Sequence, residues 1–193
     1  MNPPLTRPKA VFLDRDGTLI EDKGYICDFS QVAIFPFAIE AVRRIHAHGF
    51  KVIVITNQSA IARGICTEAQ VEALHSKLKE HFRQHGAIID AFYYSPYHEA
   101  GVVERYKKHH SWRKPEPGMI LQAARDFSLS LPDSYVIGDD PIDIAAGRKA
   151  GCKTILVLTG KEAGVGEAVI TPGVKPDWIS PNLLTAIEMI TGS

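Results

Sequence analysis

The sequence predicts a three-layer α/β fold, a parallel β-sheet with helices on both faces. Three observations predict it. Short apolar runs recur along the 193 residues, they are continuous rather than alternating, and helical patterns lie between them. Continuous hydrophobicity marks strands buried on both faces, as in a parallel sheet covered by helices. Strands that alternate with helices imply right-handed βαβ units.

The clear strand runs are 10–14 (AVFLD), 51–57 (KVIVITN), 134–140 (SYVIGDD) and 153–160 (KTILVLTG), each closed by polar residues or glycine. The aromatic stretch 90–98 (DAFYYSPYH) is a fifth candidate. Between them, residues 38–48 read as a helix that stops at Gly49. Thr67 and Gln70 have capping-box spacing. Val71, Leu74, Leu78 and Phe82 then follow at intervals of three and four, one apolar helix face. Pro117 suits the first turn of a helix carrying Ile120, Leu121, Ala124 and Phe127. A further helix over 142–150 ends at Gly151. The stretch 160–168 (GKEAGVGEA) is expected to be a mobile loop. No repeat or low-complexity tract interrupts the pattern, and residues 1–193 read as a single domain, within the usual range of roughly 100–200 residues.

Composition narrows the function classes. Lys+Arg and Asp+Glu both number 22, so the net charge is +0. That balance excludes binding to nucleic acid by bulk charge, but it leaves room for a small anionic substrate. No apolar segment approaches the roughly 18 residues that cross a bilayer, and the N-terminus lacks the apolar run of a signal peptide. Cys27, Cys66 and Cys152 are far apart, and their odd number without a local pattern reads as three reduced thiols in a cytoplasmic protein. A monomer is the default.

In open α/β sheets ligands bind beyond the carboxyl ends of the strands, and those ends carry chemistry. The first ends in Asp14-Arg15-Asp16-Gly17-Thr18. On an extended segment residues two apart project to one side, so both carboxylates are expected to face a pocket while Arg15 points elsewhere. The second ends in Thr56-Asn57-Gln58-Ser59, a row of neutral hydrogen-bonding groups, and the fourth in Gly138-Asp139-Asp140. Arg113-Lys114-Pro115 stands just before the helix that precedes that strand. This set suits phosphoryl transfer. A phosphate monoester dianion repels an anionic nucleophile until its charge is neutralised, and Mg²⁺ is held by one or two carboxylates plus phosphate oxygens. Asp14, Asp139 and the backbone carbonyl of Asp16 are the candidate ligands. Lys114 and Thr56 would meet the remaining phosphoryl oxygens. Asp14 is the candidate nucleophile, and Asp16 the candidate acid and base. Taken singly, each motif has a plain reading as a turn, a helix cap or a solvated lysine; their order at successive strand ends favours the catalytic one.

Residues 13–19 (LDRDGTL), 55–59 (ITNQS), 113–119 (RKPEPGM) and 136–147 (VIGDDPIDIAAG) resemble the four signature segments of the haloacid dehalogenase (HAD) superfamily over nearly the whole chain. Residues 56–64 (TNQSAIARG), with DRDGTL and RKPEPGM, are similar to the branch containing D-glycero-D-manno-heptose 1,7-bisphosphate phosphatases and histidinol phosphatases. The resemblance implies a Rossmann-like parallel sheet of the HAD type without a large cap domain. It implies a phosphatase for a small sugar phosphate, heptose 1,7-bisphosphate first and histidinol phosphate or another phosphorylated polyol as the alternative, with an aspartyl-phosphate on Asp14 and Mg²⁺ as cofactor. Thr56, Asn57, Gln58, Ser59, Arg63, Arg113 and Lys114 would bind substrate and phosphate.

The chain departs from that branch in two places. Where heptose bisphosphate phosphatases carry a structural zinc, the corresponding positions here are Ser95, Tyr97, His110 and Trp112, and three of these cannot act as ordinary zinc ligands. No structural zinc is expected, and His98, His109 and His110 are expected to be solvated. Pro36-Phe37 stands where the family has Pro-Gly. The loop from His98 to Arg113 is basic, with Arg105, Lys107, Lys108, His109 and His110. It is either a solvated run or a cluster that meets a second anionic group of the substrate. Two other functions stay open: a nucleic-acid 3′-phosphatase, and a phospho-accepting signalling domain. The neutral charge opposes the first, and Asp16, which a stable phospho-switch does not need, opposes the second.

Overall fold

The computed structural model describes residues 7–160 and 174–192. The stretch 160–168 read from the sequence as a mobile loop therefore lies, apart from Gly160, outside the described residues. The chain forms a six-stranded parallel sheet from β1 (Lys9–Leu13), β2 (Phe50–Asn57), β3 (Ala91–Ser95), β4 (Tyr135–Gly138), β5 (Lys153–Val157) and β6 (Trp178–Ser180), in the order β3-β2-β1-β4-β5-β6. The helices are α1 (Ala38–Ala47), α2 (Glu68–Gln84), α3 (Gly118–Phe127), α4 (Pro141–Ala150) and α5 (Leu183–Thr191).

Strand alternation divides the core into two layers. Val11, Leu13, Val52 and Val54 pack with α1, α2 and α5, whereas Ala10, Phe12, Ile53 and Ile55 pack with α3 and α4. All eight are fully buried, which is why these strands read as continuous apolar runs. The expected helix signals operate. Thr67 and Gln70 form a reciprocal capping box at the start of α2, and Gly151 closes α4 in a left-handed conformation. Pro117 precedes the first helical residue of α3 rather than sitting in its first turn. Phe37 packs its ring on Phe35, with centroids 5.1 Å apart. No described helix is long and apolar enough to cross a membrane.

The thiols differ from expectation. Cys27 and Cys66 are joined in a disulfide, their Cα atoms 5.6 Å apart although 39 residues separate them in sequence. The segment after β1 and the turn before α2 meet only in the tertiary structure, so no spacing rule could pair them. Cys152 remains a buried free thiol, and burial pushes its pKa up to about 12.

The order in which strands are added reverses at β1: β2 and β3 lie on one side of it, β4 to β6 on the other. The crevice beyond the carboxyl end of β1 is the place where such a sheet binds ligands.

Candidate active site

A cavity of about 410 Å³ opens at that crevice. Asp14, Asp16, Thr56, Asn57, Gln58, Ser59, Arg63, Arg113, Lys114 and Asp139 all line it. These are the ten site candidates read from the sequence, brought together from four separate segments.

At its base lies a cluster of opposite charges. Lys114 Nζ is 2.8 Å from Asp14 Oδ1 and 2.5 Å from Asp143 Oδ1, and donates to the carbonyl of Ile55 at 3.1 Å. Burial works against the ammonium, but the charges of Asp14 and Asp143 outweigh it and raise the Lys114 pKa. Burial lifts the Asp143 carboxyl well above the usual range, Lys114 pulls it down, and Asp14 and Asp139 push it up again. Asp143 has no counterpart among the residues singled out from the sequence. The signal was available: it follows Asp139 by four residues and falls in the first turn of α4, where it completes the capping box of Asp140.

Asp14, Asp139 and Asp143 each offer a carboxylate oxygen within 4.8 Å of the others. Three hard oxygen donors suit a divalent cation such as Mg²⁺. Asp139 sits between Gly17 (φ +81°) and Gly160, and a Cβ at either position would collide with its carboxylate. The pocket is thus shaped to hold that carboxylate in one place.

Arg15 does not point elsewhere. The extended alternation ends at Leu13, and Arg15, 1% exposed, turns back on its neighbour. Its Nε and Nη2 donate to both carboxylate oxygens of Asp16, the shortest contact being 2.9 Å. Gln58 Nε2 donates to Asp16 Oδ2 at 3.2 Å and to Thr56 Oγ1 at 2.8 Å. Recess from water raises the Asp16 pKa, against the pull of Arg15 and with the help of Asp14. Asn57 clamps Lys114: its amide donates to the Lys114 carbonyl at 3.1 Å and accepts from the Lys114 N–H at 3.0 Å.

The mouth is cationic. Arg63 Nη2 is 3.3 Å from His98 Nε2, Arg113 Nη1 donates to the Tyr97 carbonyl at 3.1 Å, and the Arg63 guanidinium faces the Tyr25 ring at 6.0 Å. Burial and the two arginines lower the His98 pKa. His98 was expected to be solvated; it lines the cavity instead. The basic loop is otherwise directed elsewhere. Arg105 is paired with Glu68 and lies over the Tyr106 ring, Lys108 lies over the Tyr97 ring, and neither these nor Lys107 line the cavity. Of the two readings of this loop, the placement fits the solvated run: the single-turn helix over Glu104–Tyr106 lies in it, and Arg105, Lys107, Lys108, His109 and His110 are not among the residues that line the cavity. Of the four positions compared above with a zinc pattern, Ser95 is buried on β3, the Tyr97 and His110 rings stack at 3.9 Å, and Trp112 meets His110 edge-on.

The sheet order and the carboxylates at its switch point define a HAD-like hydrolase, and comparison with known proteins gives the same class. A family model described as HAD-hydrolase-like matches residues 111–186. The D-glycero-D-manno-heptose-1,7-bisphosphate 7-phosphatase of Thermosynechococcus vestitus is 40% identical over 190 residues, 96% of either chain. The D-glycero-beta-D-manno-heptose-1,7-bisphosphate 7-phosphatase of Escherichia coli K12 is 37% identical over 177 residues, 90% of this chain and 89% of that one. Among solved structures, D,D-heptose 1,7-bisphosphate phosphatase from B. bronchiseptica, complexed with magnesium and phosphate, superposes with a TM-score of 0.82. It is 27% identical, over 95% of this chain and 98% of that one. A HAD-like phosphatase from Mesorhizobium loti gives 0.81 at 34% identity, over 96% and 88%. The chain belongs to the family of HAD-like phosphatases that contains these heptose-bisphosphate relatives.

Proposed function

We propose that the protein is a Mg²⁺-dependent phosphatase that removes the 7-phosphate of D-glycero-D-manno-heptose 1,7-bisphosphate through an aspartyl-phosphate on Asp14. One observation carries the reading: the buried Lys114 pairs with Asp14 and Asp143, and Asp139 brings a third carboxylate oxygen within 4.8 Å of theirs, at a cavity that Arg63 and Arg113 also line.

Asp14 and Asp139, with Asp143 behind them and the Asp16 carbonyl, would hold the Mg²⁺. When bound there, the ion would supply charge neutralisation and Lewis acidity toward a phosphoryl oxygen. Asp14 Oδ is the nucleophile that displaces the alcohol. Lys114 Nζ and the Thr56 hydroxyl stabilise the equatorial oxygens as charge develops. Gln58 and Asn57 set the positions of those two groups, and Ser59 lies beside them on the cavity wall. Asp16 gives its proton to the leaving oxygen, then takes one from the water that cleaves the acyl-phosphate; its raised pKa suits the first of these steps. Arg63, whose Nε is buried without a hydrogen-bond partner among the described residues, would meet a second anionic group together with Arg113.

The test is phosphate release from heptose 1,7-bisphosphate, its 7-monophosphate and histidinol phosphate with Mg²⁺ present. Highest kcat/KM on the bisphosphate, with Asp14→Asn inactive, is the expected result. Activity retained in Asp14→Asn would overturn the mechanism, and a preference for histidinol phosphate would overturn the substrate.

A further inference from the structure

A chain of polar groups runs from Asp16 in the cavity wall through Arg15 to a buried residue outside it, His75. His75 lies on α2 in the apolar row with Val71, Leu74, Leu78 and Phe82, and is 5% exposed. From the opposite side, Arg15 reaches into the protein. Its Nη1 is 2.9 Å from His75 Nε2, while its Nη2 donates to Gln58 Oε1 at 3.1 Å and to the Asp16 carboxylate. A guanidinium can only donate, so Nε2 accepts and the imidazole proton is on Nδ1. The ring itself is gripped by β3. It stacks on Phe92 at 4.7 Å and meets Tyr94 edge-on at 5.7 Å, two residues that strand alternation places on the same side.

We propose that His75 is a positioning residue for the phosphatase reaction: it fixes the Arg15 guanidinium, and Arg15 fixes the plane of the Asp16 carboxylate. Arg15 meets both Asp16 oxygens through two nitrogens, a planar fork whose orientation passes directly to the carboxylate. A fork held only by Asp16 could pivot with it. His75 and Gln58 fix the fork from two further directions, one on α2 and one at the end of β2. The ring stacking on Phe92 extends that support to a third element. A core histidine could be retained merely to satisfy a buried arginine, and the two roles differ in what they do to catalysis.

The inference rests on Asp16 as the acid for the leaving alcohol, and the test separates the two. Alkyl phosphates need that proton; p-nitrophenyl phosphate has a leaving group that departs without it. His75→Phe keeps the ring and its stacking but removes the acceptor. Its kcat/KM on the sugar phosphate should fall about tenfold or more, with that on p-nitrophenyl phosphate changed less than about twofold. His75→Gln, which supplies an amide oxygen, should recover most of the loss. Equal losses on both substrates, or none on either, would overturn the positioning role. Asp16→Asn is the reference. If it discriminates between the substrates and His75→Phe does not, only the role of His75 falls; if Asp16→Asn does not discriminate, the acid role falls and this proposal with it. Should His75→Phe not fold, Phe92→Leu loosens the same ring without touching Arg15. It should move the ratio of the two kcat/KM values in the same direction, and an unmoved ratio overturns the proposal.

Discussion

Lys114 Nζ stands 2.5 Å from Asp143 Oδ1, and neither side chain is more than 2% exposed. Breaking a buried pair leaves an uncompensated charge and costs about 3–5 kcal/mol. Lys114→Met is therefore expected to lose about that much folding stability in urea denaturation without divalent cation. Adding Asp143→Asn removes one of the stranded carboxylates. The double variant should be more stable than Lys114→Met alone, the signature of direct coupling. Additive losses would show that the two charges do not depend on each other.

The legibility of this cluster was uneven. Asp14, Asp16, Thr56, Lys114 and Asp139 could be read because each closes a strand or opens a helix, where local spacing places a side chain at one sheet edge. Asp143 carried a signal in the first turn of α4 that was not taken up, and His75 carried none. Asp143 enters the site only because α4 folds back over β4, and His75 occupies an apolar helix row in which a lone polar residue has no local signature. For Arg105 and Lys107 the sequence left two readings open, a solvated run and a cluster facing the substrate, since nearness in sequence to Arg113 says nothing of the turn between them. Strand β6 has three residues, with Trp178 exposed, too short for any periodicity to register.

The neutral His75 ring has a consequence for acid stability. Burial, and then the Arg15 charge, lower its pKa to about 3, against about 6.5 in the unfolded chain. A depressed pKa in the folded state makes the contribution complete above pH 6.5. It is lost as the pH falls towards 3, at up to about 1.4 kcal/mol per pH unit. Urea midpoints measured between pH 7 and 4 should show this slope in the wild type and a shallower one in His75→Gln. Parallel profiles would contradict the assignment.

The Cys27–Cys66 bond closes a long loop in the unfolded chain. For roughly 40 residues the chain-entropy model gives about 4 kcal/mol of stabilisation as an upper figure. Dithiothreitol should lower the urea midpoint of the wild type and leave a Cys27→Ser/Cys66→Ser variant unchanged. An insensitive wild type would mean that the thiols are not bonded in solution.

Gly17 has a left-handed backbone, and any Cβ there collides with the Asp139 carboxylate. Gly17→Ala should cost about 1–2 kcal/mol through the backbone alone. Displacement of Asp139 should also weaken Mg²⁺ binding about 10- to 100-fold, as supporting positions around metal sites do. Calorimetric titration with Mg²⁺ alone reads this without any substrate. Unchanged affinity would remove Asp139 from the ion's ligands.

The position of β1 at the reversal of the sheet divides the pocket's labour. Asp139 and Asp143 arrive from β4 and α4 on one side of it; Thr56, Arg63, His98 and Arg113 arrive from the β2–β3 side. Lys114 spans the two, tied by Asn57 to the end of β2 and by charge to Asp143. If the proposed roles hold, the wall carrying Arg63, His98 and Arg113 is free to drift while the reacting centre keeps its form. Within such a scaffold, a new substrate needs a new rim and no new chemistry.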